Sequence, residues 1–126
     1  MKLLAMQHRL PILAGLVLAL LPPTSATEIV PLTAMRVARM AHTATTLADN
    51  RVLVAGGFTD PRHASAGAEL FDARSARFVS LPSMVMLRHS HTATRLPDGK
   101  VLLVGGFAAG NSVTPSAELF DPVAQR

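Results

Sequence analysis

His89-Ser90-His91 sets two imidazoles two residues apart, on one face of an extended strand. Two histidines with a carboxylate beside them have the donor types of a metal site. No third ligand follows from the spacing, and an earlier matching stretch has Met40 where His89 would stand, so no metal is expected. Ser, His and Asp stand in no elbow arrangement, no His-Glu-x-x-His occurs, and no close carboxylate pair stands in a pocket-like context. The chain has neither Cys nor Tyr. That removes thiol catalysis, disulfides, Cys-ligated zinc, iron–sulfur clusters and tyrosyl-radical chemistry. The residues predict no catalytic set and no cofactor, and the chain reads as a non-enzyme.

What repeats must position what does not. At a constant offset of 49 residues, His42-Thr43-Ala44-Thr45 recurs as His91-Thr92-Ala93-Thr94, and Gly56-Gly57-Phe58 as Gly105-Gly106-Phe107. Ala68-Glu69-Leu70-Phe71-Asp72 recurs as Ala117-Glu118-Leu119-Phe120-Asp121, and Arg39 as Arg88. Such a period marks propeller blades or a solenoid. Each unit reads as short strands. Thr43–Leu47 alternates, and Asp49-Asn50 or Pro97-Asp98-Gly99 makes a tight hairpin turn that needs positive φ. Arg51–Ala55 and Lys100–Val104 are apolar throughout, as strands buried on both faces are. Ala68–Asp72 and Ala117–Asp121 are third strands, and Arg77–Leu81 is a fourth. Almost no helix is expected after the leader.

Twice-occurring polar residues read as scaffold. His42 and His91 read as hydrogen-bonded structural histidines. Arg39 with Glu69, and Arg88 with Glu118, would form one buried ion pair per unit, because buried charges must be paired. Gly56-Gly57 and Gly105-Gly106 read as places of close backbone approach, since no helix follows to make a phosphate loop. The segments Phe58–Gly67 and Phe107–Ser116 do not repeat. They bring Asp60, Arg62 and His63 from the first, and Asn111, Ser112 and Thr114 from the second. With Arg88 and His89, the residues Asp60, Arg62, His63 and Asn111 are the candidates for ligand binding.

The combination of an apolar strand ending in Gly-Gly with two aromatics separated by six residues, here Phe71 and Phe78, resembles the kelch repeat. Phe120 matches the first aromatic in the second copy, and Phe stands where Tyr and Trp are usual. The likeness covers about residues 28–126, and it extends to exported bacterial kelch proteins and the propeller scaffold of galactose oxidase. It implies an all-β fold of two four-stranded antiparallel kelch-type propeller blades, an incomplete β-propeller. Repeat 1 would span about 35–83, and repeat 2 about 84–126 without its last strand. It also implies binding of a protein or a glycan on the face where the unrepeated loops emerge. The alternatives are a fragment or subunit of a sugar-acting propeller enzyme, or a truncated frame without function. The copper ligands and Tyr–Cys crosslink of galactose oxidase have no residues to form them here, so that resemblance is to the scaffold.

The chain of 126 residues carries a formal charge of +4, is 49% hydrophobic and 4% aromatic. Its arginines (Arg39, Arg51, Arg62, Arg74, Arg88) are spaced singly, without the basic stripe and aromatics that nucleic acid requires, so nucleic acid is not an expected partner. Lys2 and Arg9, the apolar run Leu10–Leu21, and small residues at Thr24 and Ala26 read as a cleavable signal peptide over 1–26, cut near Ala26. As a helix the apolar run reaches about 18 Å, short of a ~30 Å membrane core, so no stable membrane span is expected. Residues 27–126 would be the mature, secreted or periplasmic domain.

Glu28-Ile29-Val30-Pro31-Leu32 aligns at the same offset with Arg77-Phe78-Val79-Ser80-Leu81. It is expected to be a lone fourth strand. Two units leave sheet edges open to water. A head-to-tail homo-oligomer, closing a ring, would cover them.

Overall fold

The computed structural model describes residues 29–126. The signal peptide expected over 1–26 and its expected cleavage point lie outside the described residues, as does Glu28. The fold is all-β. Its strands are β1 (Thr43–Thr46), β2 (Val52–Ala55), β3 (Phe58–Asp60), β4 (His63–Ala64), β5 (Ala68–Asp72), β6 (Arg77–Ser80), β7 (Thr92–Arg95), β8 (Val101–Val104) and β9 (Ala117–Phe120). They make three antiparallel sheets, ordered β1-β2-β5-β6, β3-β4 and β7-β8-β9. The helical content of the described residues is one 3-10 turn at Ala109–Asn111. No helix among them is long and apolar enough to cross a membrane.

The two larger sheets repeat one register. Val54 faces Glu69 and Ala55 faces Ala68 in the first, as Leu103 faces Glu118 and Val104 faces Ala117 in the second. The hairpin turns are as the residues predict: Asn50 sits at φ 66° and Gly99 at φ 89°. Strand alternation sorts the side chains. One face of the first sheet (Leu53, Ala55, Ala68, Leu70) meets one face of the second (Val101, Leu103, Phe120) in a single buried cluster with Leu47. Each large apolar side chain buried there contributes roughly 1.5–3 kcal/mol.

Two expectations need correction. Residues 29–32 carry no strand. The edge of the first sheet that their sequence matches is already occupied by β6, paired to β5 from Asp72↔Arg77 to Glu69↔Ser80. The second is β8, expected to be covered on both faces. It is covered on one: Val101 is fully buried, while Val104 is 37% exposed, because no sheet lies beyond it.

The paired glycines all have positive φ, and three of the four are hemmed in by backbone. A Cβ at Gly57 would lie 2.5 Å from the Met40 carbonyl oxygen, and one at Gly106 2.5 Å from that of His89. Gly56 and Gly105 share a conformation (φ 66° and 65°) but not surroundings. A Cβ at Gly56 would meet the Arg88 carbonyl at 2.5 Å and the His91 ring at 2.7 Å, whereas at Gly105 the nearest atom is the Thr114 carbonyl oxygen at 3.6 Å. The pair therefore separates conformational strain from crowding. In dilute protein, Gly105→Ala should cost about 1–2 kcal/mol, the left-handed penalty alone. Gly56→Ala should cost about 1–3 kcal/mol more. Urea unfolding of both variants checks this, and equal losses would remove the crowding argument.

Candidate functional site

Each repeat holds its unrepeated loop by the same device. Arg39 Nη1 donates to the carbonyls of Gly56 (3.0 Å) and Gly67 (2.8 Å), the two ends of the first loop. Its Nη2 meets Glu69 Oε1 at 2.8 Å, and both side chains are almost wholly buried. Glu69 also accepts the backbone N–H of Arg36 (2.8 Å) and of Val37 (3.2 Å). In the second repeat Arg88 Nη1 donates to the carbonyls of Gly105 (2.9 Å) and Ser116 (3.1 Å), and Nη2 reaches Glu118 Oε1 at 2.8 Å. A planar guanidinium suits this task, because its fixed fork can bridge two carbonyls and a carboxylate at once. Burial alone would push the Glu69 and Glu118 carboxyls up. The neighbouring backbone N–H groups and the arginine more than offset it, and both are held below the usual carboxylate range.

On these clamped bases the loops take different shapes. The first is a small hairpin, β3 with β4, which the sequence does not announce. Asp60 ties its turn, accepting the Arg62 N–H at 2.9 Å and lying 2.7 Å from His63 Nδ1. The Arg62 N–H and then His63 keep the Asp60 carboxyl below its ordinary value. The second loop contains the 3-10 turn, with Gly110 and Asn111 both left-handed. Ser112 Oγ donates to the Ala109 carbonyl, and Thr114 Oγ1 to Ser116 Oγ.

Between the loops lies a cleft of about 350 Å³ lined by Phe58, Pro61, Arg62, Ala64, Ala108, Gly110 and Asn111. It brings together two of the candidates, Arg62 and Asn111, from different repeats. Asp60 and His63 stand beside it on the hairpin, paired with each other and exposed. Arg88 is fully buried in its clamp. His89 is buried too, its ring 3.7 Å from that of Phe58 and 5.2 Å from that of Phe107, so it backs the cleft through Phe58. Phe58 is the lining residue that sequence reasoning passed over, since its repetition at Phe107 marked it as scaffold.

His89 and His91 do not share a strand face. Ser90 has φ 51°, which breaks the extended chain, and β7 begins only at Thr92. The His91 Nε2 instead lies 3.0 Å from Thr43 Oγ1 in the first sheet. Burial, then the charge of Arg88, lowers its pKa to about 4. His42, Phe71 and Phe78 lie around the outer face of the first sheet, where the two phenyl rings pack 4.9 Å apart. Among the described residues no three His, Asp or Glu side chains come together as a metal site would need.

No family model and no curated protein matches the chain. Solved structures do match it. One is a fungal alcohol oxidase with catalytic diversity among the AA5 family, in complex with copper, at 22% identity and a TM-score of 0.57. The match covers 70% of this chain and 18% of the oxidase. The chain thus shares the fold of one part of that oxidase and spans under a fifth of its length. The copper belongs to the oxidase. The described residues here, without Cys or Tyr and without a cluster of three ligands, do not fit such a centre.

Proposed function

We propose that the chain is an exported, non-catalytic binding module built of kelch-type propeller blades, with its ligand, a glycan or a protein segment, seated in the cleft between the two unrepeated loops. The observation that carries this reading is the convergence of Arg62 and Asn111 on an apolar wall formed by Phe58. A cation, an amide and an aromatic ring suit a hydroxyl- or carbonyl-rich ligand: the first two donate hydrogen bonds, and the ring supplies an apolar face. The charged residues common to both repeats support it as well, since they are spent on holding the loops. Export rests on the basic, apolar and small-residue sequence of the leader.

A second reading, a piece or subunit of a sugar-acting propeller enzyme, draws on the likeness to the alcohol oxidase. The cleft favours the first, because none of its lining residues is a nucleophile or a general acid–base pair.

Screening the chain against a glycan array and a peptide library tests the proposal. Arg62→Ala should weaken any captured ligand by about ten- to a hundredfold, the loss of one charged hydrogen-bonding partner. It should leave thermal stability unchanged, since Arg62 is exposed. Binding insensitive to Arg62, or turnover of a sugar substrate, would reject the reading.

A further inference from the structure

We infer that copies of this chain associate head-to-tail by repeating, between chains, the interface that joins the two large sheets within one chain. Inside the chain, the face of Leu53, Ala55, Ala68 and Leu70 packs on that of Val101, Leu103 and Phe120. The 49-residue offset supplies each partner again on the outer faces, where Val54 is already buried and the other residues are partly or largely exposed. Leu102, Val104, Ala117 and Leu119 repeat the first face on the outside of the second sheet, where Val104 is 37% and Leu119 49% exposed. Val52, Val54 and Phe71 repeat the second face on the outside of the first sheet, beside an open hollow that Phe71 and Phe78 line. A surface carrying both halves of an interface that already forms is complementary to another copy of itself.

Polar details agree. The Gly57 N–H donates to the Arg88 carbonyl at 2.9 Å, and the Arg88–His91 segment fills the slot at Gly56. The Gly106 N–H has no such acceptor among the described residues, and the slot at Gly105 is open. In a second copy, Arg39–His42 is the segment that matches Arg88–His91, so its Arg39 carbonyl would accept from Gly106.

The free edge of β9 has an occupant in the same copy. Residues 29–32 match β6, and Ile29 is 95% and Val30 55% exposed. In the first sheet the Leu81 N–H bonds the Ala68 carbonyl at 3.0 Å, which makes Leu81 and Ala68 a hydrogen-bonded pair. The alternation then makes Val79–Leu70 hydrogen-bonded as well, and turns the Ser80 N–H outward. By the offset, Val30 would face Leu119 and Pro31 would take the place of Ser80. That is the position where a missing N–H breaks no ladder bond. By the same offset Ile29 would face Phe120, and the ladder runs from there.

Sedimentation of the full chain should show concentration-dependent association. The chain has no Cys, so a Val30→Cys/Leu119→Cys variant should form covalent multimers on oxidation, its Cα atoms about 5.5 Å apart. An Ile29→Cys/Leu119→Cys variant, whose first thiol points to the opposite face, should not. Gly105→Ala, with its fold confirmed by circular dichroism, should weaken association by about tenfold or more, because the methyl occupies the slot. A wild-type chain that stays monomeric at every concentration reached overturns the inference. So does crosslinking of the Ile29→Cys double variant in preference to the Val30→Cys one, or association unaffected by Gly105→Ala.

Discussion

Glu69→Ala should cost about 3–5 kcal/mol of folding stability, the loss expected when a buried ion pair is broken from one side. The Arg39 side chain is 1% exposed and that of Glu69 2%, so water cannot replace the missing carboxylate. The same change strands two further donors, the N–H groups of Arg36 and Val37. A domain of this size has only about 5–15 kcal/mol to lose. Glu118→Ala should cost less, because the Glu118 side chain is 18% exposed and water can reach the vacated site. Replacing Arg39 by Met and Glu69 by Leu together should recover only part of that loss: no charge is left unpaired, but the Gly56 and Gly67 carbonyls lose their donor as well. Urea unfolding of the four proteins checks the order. A Glu69→Ala loss below that of Glu118→Ala would mean that the clamp does not hold the first repeat.

Acid should unfold the chain in two stages, and the first belongs to His91. Its ring is enclosed between the sheets, with Arg88, Glu118, His42 and His89 as the charged or titratable neighbours. Burial and the Arg88 charge depress its pKa from 6.5 to about 4 in the folded protein. The unfolded chain therefore binds a proton that the folded chain refuses, and stability falls as pH drops from 6.5 towards 4. The loss over that window is about 3 kcal/mol. Glu69 and Glu118, whose folded pKa values lie below the usual 4.5, lose their contribution in a second stage, as pH falls below that value. In His91→Asn the first stage should vanish and the second remain. Unfolding free energies measured from pH 7 to about 3 test this, and an unchanged slope between pH 6.5 and 4 in the variant would assign the acid sensitivity elsewhere.

The sheets were legible because their signals are local and occur twice. Asn50 and Gly99 permit the hairpin turns, Val-Leu runs make the central strands, and the recurrence of Arg39 and Glu69 as Arg88 and Glu118 implied the ion pairs. Features that depend on geometry between segments were not. The hairpin of Phe58–Asp60 with His63–Ala64 has strands too short to show alternation, and its turn is tied by the Asp60 carboxylate. The separation of His89 from His91 comes from one left-handed serine, a conformation that side chains other than glycine seldom take. The strand expected at 28–32 matched an edge already taken by β6. Of the cleft, Arg62 and Asn111 were found as polar residues on unrepeated loops. Phe58 was hidden because one side of its ring serves the scaffold and the other faces the cleft.

In both clamps the arginine grips carbonyl oxygens, which every amino acid carries. The residues at the loop tips, between Phe58 and Ser65 in the first repeat, are thereby relieved of most of the work of folding, while Gly57, Phe58, Ser65 and Ala66 still bond or pack on the framework. Mutation can rewrite such segments, lengthen them or trade them between repeats while the framework stays put. An architecture of this kind lends itself to diversification, and grafted loops of foreign sequence in place of residues 59–64 would be the natural place to begin engineering it.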